Sequence, residues 1–199
     1  MKLPQLFKID KYIKIPKVFY ADSTGKPFER CLVCNKYLLK NGVQYVIEKV
    51  IKNYKKYNTY DTIFEYAMCI DCSEKKGQSF SEISMRNIFE YFIKNINLIK
   101  RRTELLKDGE LDINKWISKC IIKGTPVNEL SEYQIACQCD GNDLLFTYLP
   151  YMISSEAIDE IVELLSAKTL GEIEGFRDKF FDYPPELKPL FKDRPVFIF

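Results

Sequence analysis

Two paired-cysteine motifs constrain this chain more than any other feature. Cys31-Leu32-Val33-Cys34 and Cys69-Ile70-Asp71-Cys72 are both C-x-x-C hooks. That spacing lets one tight turn aim two thiolates at a single ion while backbone N–H groups bond to the sulfurs. Asn35 follows the first hook, and asparagine tolerates the left-handed backbone that such a turn requires. A redox dithiol needs one hook only, whereas two hooks supply the tetrahedral sulfur set that zinc prefers. Iron fits the same four sulfurs, and zinc is expected because it is the usual structural choice. The sequence therefore predicts one structural zinc ion on Cys31, Cys34, Cys69 and Cys72.

The other three of the seven cysteines are Cys120, Cys137 and Cys139. With no signal-peptide pattern at its N-terminus and no membrane span, the chain is expected in the cytoplasm, where thiols stay reduced; the odd count likewise speaks against a disulfide framework. Cys120 falls on the apolar face of an expected helix, and Cys137 and Cys139 share a strand face with Tyr133 and Ile135. Core packing is the expectation for these three, with a second metal site as the alternative. Histidine is absent. Imidazole-dependent mechanisms are thereby excluded, and no set of catalytic residues stands out, so no enzymatic activity is expected. The longest apolar run, Leu144 to Ile153, is broken by Thr147 and Pro150 and is too short to span a bilayer. No membrane association is expected.

Residues 17–20 and 27–30 flank a turn-rich stretch and suit a hairpin, and Asn41-Gly42 opens a strand carrying Val43, Tyr45 and Ile47. A polar loop or irregular extension over 52–61 and a short strand over 62–68 lead to the second hook. A long helix is expected from Ser79, where Ser79 and Glu82 have capping-box spacing, to Lys100-Arg101-Arg102, whose charges suit its C-terminal end. Asp112 caps another helix. A strand from Tyr133 to Cys139 turns at Asp140-Gly141 into Leu144–Leu149. Two amphipathic helices follow, one over 155–166 and one capped by Thr169, then Pro184-Pro185 and a last strand over 195–199. The fold class is α+β: a zinc-clamped hairpin and strand module with a long helix, then an acidic, helix-rich region with a short hairpin. The expected boundary divides residues 1–107, with 21 basic and 11 acidic residues, from residues 108–199, with 9 and 17.

Hairpin, hook, strand, hook and helix together resemble the treble-clef and zinc-ribbon group over about residues 17–100. The resemblance rests on Cys31, Cys34, Cys69 and Cys72. It implies a structural metal and leaves function open, since such proteins bind nucleic acids, bind proteins or are purely structural. The long segment between the hooks and the lack of glycine after either depart from the usual compact form.

A basic and aromatic stretch, Lys49, Lys52, Tyr54, Lys55, Lys56 and Tyr57, would suit a nucleic-acid surface, with lysines for phosphates and tyrosines for stacking. A solvated loop is the plainer reading of the same residues. Ser23-Thr24-Gly25-Lys26 lacks the upstream glycine of a phosphate loop, and Pro27 replaces the needed hydroxyl. Glu156, Asp159, Glu160 and Glu163 form the solvated face of a helix. The expected role is a non-catalytic, zinc-stabilised module that binds a protein partner, with nucleic-acid binding as the alternative.

Overall fold

Gly42, at φ +81°, turns the chain into the strand that organises the molecule. In the computed structural model, which describes residues 11–107 and 111–181, this strand runs over Gln44–Tyr54. Every residue from Tyr45 to Ile51 is buried, so both faces of the strand are covered.

One antiparallel sheet forms around it. Its strands are β1 (Tyr12–Lys14), β2 (Gln44–Tyr54), β3 (Thr59–Cys69), β4 (Glu132–Asp140), β5 (Asp143–Leu145) and β6 (Tyr151–Ser154), in the order β1-β5-β4-β2-β3 with β6 also on β4. The polar segment expected as a loop is strand on both sides of a tight 3-10 turn, Lys55–Tyr57, closed by Asn58 in the left-handed region. The expected 17–30 hairpin shrinks to a turn closed by the Ala21–Lys26 bridge, because a 3-10 turn takes Lys17–Phe19.

The sheet crosses the expected boundary at residue 108. β2 pairs with β4 from Gln44 opposite Asp140 to Lys52 opposite Glu132, and one apolar cluster draws residues from both halves. The two regions share a core.

Six helices occur among the described residues: α1 (Ile70–Ser79), α2 (Glu82–Asn95), α3 (Leu98–Leu106), α4 (Ile113–Ile117), α5 (Ser155–Glu163) and α6 (Ala167–Phe180). The expected long helix is two, since Ile96 is extended and the Asn97 side chain caps α3 by accepting from Lys100 N–H. The helix expected after the second hook starts nine residues earlier than Ser79, as the separate α1 at Ile70. Arg101 does not sit at a helix end for its charge alone: it donates to the carbonyls of Trp116 (2.7 Å) and Pro150 (3.1 Å). Burial lowers its pKa to about 10. Asp112 caps α4 as expected. Pro184-Pro185 and the 195–199 strand lie outside the described residues.

Strand alternation assigns the layers. Tyr45, Ile47, Lys49 and Ile51 point to the N-terminal segment, where Phe19 and Leu38 are fully buried. Val46, Glu48 and Val50 point to the helices, where Phe176 and Phe181 of the α6 region pack on Tyr66 and Phe64. α2 and α6 begin side by side and cap each other. Ser81 and Ser166 cap their own helices, the Ser84 hydroxyl accepts from Ser166 N–H (2.8 Å), and the Thr169 hydroxyl accepts from Ser81 N–H (3.0 Å).

Candidate metal centre

The first hook is a turn laid against the end of the sheet. Asn35 N–H donates to Cys31 C=O (2.9 Å), with Asn35 at φ 60°, and Leu32 N–H ties the turn to Ala67 C=O of β3 (2.9 Å). The second hook straddles a junction. Cys69 ends β3 and is the N-cap residue of α1, and Cys72 lies in that helix's first turn. Because β3 runs directly into α1, the second pair of sulfurs is delivered where helical N–H groups are free.

The four ligand atoms lie within 4.8 Å of one another. Cys34 Sγ and Cys69 Sγ are 3.7 Å apart, and Cys69 N–H donates to Cys31 Sγ at 3.4 Å. Burial pushes the Cys31 thiol up, but backbone N–H groups of Cys34, Cys69 and Val33 outweigh it and bring the group down to about 7. Cys69 and Cys72 are pushed up, by burial first; hydrogen bonds from Cys72 partly offset the rise at Cys69, and the other thiols of the cluster add to it at both. Thiols crowded this closely resist sharing negative charge, and a cation among them reverses that. The donor set suits a tetrahedral, sulfur-liking metal ion. Lys36, two residues past the first hook, pairs with Asp71 inside the second (2.5 Å); the sequence offered no spacing by which to foresee this pair.

Cys120, Cys137 and Cys139 are buried and belong to no cluster of three or more candidate ligands among the described residues. Cys137 and Cys139 lie 3.7 Å apart on one face of β4, and the Cys120 sulfur accepts from the Ser154 hydroxyl and N–H.

The basic and aromatic stretch divides. Lys49 is buried and paired with Asp22 (2.6 Å) and Glu65 (3.0 Å), so it lies away from any surface where a phosphate would meet it. Lys52 and Tyr54 are half-buried. Lys55, Lys56 and Tyr57 are exposed at the β2–β3 tip, where Lys55 donates to Glu129 C=O and Lys56 stands over the Tyr57 ring. Also missed from sequence was Glu48, buried beside Lys49, which accepts from Tyr66 (2.5 Å) and Gln134 (2.8 Å).

Fold and site thus define an α+β protein with an antiparallel sheet and four cysteines clustered closely enough to hold a metal ion. No protein-family model, curated protein or solved structure matches the chain. No helix of the described residues is long and apolar enough to cross a membrane.

Proposed function

We propose that this is a non-catalytic protein whose work is to bind another polypeptide, with one zinc ion clamping turn, strand end and helix start together. Geometry supports a tetrahedral four-thiolate ion, and zinc is chosen over iron as the usual structural metal. Zn–S bonds of about 2.3 Å in a tetrahedron place sulfurs about 3.8 Å apart. The Cys34–Cys69 separation of 3.7 Å is close to that edge. Turn, hairpin and helix start supply the ligands in the manner of a treble clef.

The observation that carries the binding role is the outward side of α2. Ile83, Met85, Phe89 and Ile93 are exposed on a helix whose other side, including Ile88, is buried. Exposed apolar side chains gathered along one helix support its reading as an interaction surface. The test uses the purified protein and a Phe89→Glu variant as baits in host extract. Polypeptides held by the native bait and lost from the variant, at equal zinc content, are the expected result. Identical recovery by both baits would remove the reading. Metal analysis should give about one zinc per native chain, lost in Cys34→Ser and kept in Cys137→Ser; a zinc-free, folded native chain refutes the clamp.

Nucleic-acid binding is a second reading, favoured by exposed Lys55, Lys56 and Tyr57 at the hairpin tip. Salt-sensitive binding of generic DNA or RNA, abolished by Lys55→Ala with Lys56→Ala, would replace the first reading with this one.

A further inference from the structure

We infer that the partner of the α2 face is a second copy of this chain, docked antiparallel about a two-fold axis. The inference rests on the reading of that face as a polypeptide-binding surface. Four exposed charges run along α2 at every fourth position: Glu82, Arg86, Glu90 and Lys94. Residues four apart lie along one row of a helix, so the row reads minus, plus, minus, plus beside the apolar row of Met85, Phe89 and Ile93. The row is centred on position 88. Reversing it brings Glu82 opposite the partner's Lys94 and Arg86 opposite the partner's Glu90. The two-fold repeats both contacts, giving four opposite-charge pairs.

A parallel pairing in register would set like charge on like, so the pattern selects the antiparallel one. The apolar row is centred on Phe89, one residue from the charge centre, which is an axial offset of about 1.5 Å. One pairing therefore buries the apolar row and matches the charges together. α2 has 14 residues, so the contact is about 21 Å long and sits at the small end of specific interfaces. Dimerisation is accordingly concentration-dependent.

Charge exchange supplies the test, using full-length, zinc-loaded protein. Arg86→Glu places two acidic side chains opposite two acidic ones, and Glu90→Arg places basic opposite basic. By sedimentation equilibrium each single variant should dissociate about tenfold or more readily than the native chain. An equimolar mixture of the two should regain native-like affinity, because every pair is then opposite in sign. The Arg86→Glu/Glu90→Arg double variant should regain it too. All these positions are exposed, and zinc content together with the circular dichroism spectrum confirms the fold of each variant. A native chain that stays monomeric at several hundred micromolar overturns the inference, as does a mixture that stays as weak as its components. If the native chain is monomeric yet Phe89→Glu still loses polypeptides from host extract, the dimer fails and the binding face stands.

Discussion

Lys49 carries its charge into the sheet, and what it meets there decides its role. It is 3% exposed, paired with Asp22 and Glu65, and it donates to Tyr20 C=O at 2.8 Å. Removing Lys49 leaves the largely buried Glu65 without its cation while Asp22 is half exposed and screened, so Lys49→Met should cost about 1–3 kcal/mol in urea unfolding at neutral pH. The pH dependence has a definite sign. Burial pushes the Asp22 carboxyl up, but hydrogen bonds from Lys49 and Thr62, with the charge of Lys49, outweigh it and hold the group below its ordinary value. A carboxyl depressed by folding stabilises the fold above the carboxylate range, and that stabilisation is lost as pH falls through its folded value. The gap between native and variant should therefore narrow in acid. A gap of the same size at every pH would assign the loss to packing instead. Sequence shows Lys49 only as one lysine in a basic stretch, because strand alternation gives its face but not that the face is covered. The four hook cysteines were legible for the opposite reason. Their chemistry demands neighbours of one kind, and C-x-x-C spacing supplies half of them locally.

Among the elements, β4 was read well, while the other strands and most helix starts were not. β4 and its turn follow from alternation and from Asp140-Gly141, where Gly141 at φ +54° has Asn41 atoms within 3.2 Å of where a Cβ would sit. Helix starts were misplaced because serine and threonine recur at capping distance. Ser79 and Thr169 look like caps, while Ser81 and Ser166 are the caps. The deciding contact lies between helices: Ser84 and Thr169, both fully buried, each bond the cap residue of the other helix. No spacing within either helix encodes that exchange. Losing one such hydroxyl strands a buried N–H, so Ser84→Ala and Thr169→Ala should each cost about 1–2 kcal/mol. The double variant should cost less than the sum, since the two helix starts share one network. Strict additivity in a double-mutant cycle would show the helices to be capped independently.

At the scale of the whole molecule, the chain's charge halves suggest a division that the sheet does not respect. Residues 1–107 carry a net +10 and residues 108–199 a net −8. Yet β2 is buried on both faces and bonded along one edge to β4, whose residues lie beyond 108. Glu48 illustrates the dependence: its buried carboxylate accepts from Gln134, so a fragment ending at 107 would lose that donor. Such a fragment keeps everything the metal centre uses, namely the first hook, β2, β3 and α1. It would present a two-stranded hairpin, and two strands alone are marginal in water. Residues 1–107 should therefore bind zinc at about one equivalent but unfold without a cooperative transition, with poorly dispersed amide resonances. The full chain should unfold in one zinc-dependent step, because metal binding to the native state adds directly to its stability. Calorimetry and amide spectra of the two chains, with and without zinc, measure this. A fragment with a sharp transition near that of the full chain would show that the metal centre organises an independent domain. In that case the charge division would mark a true boundary despite the shared sheet.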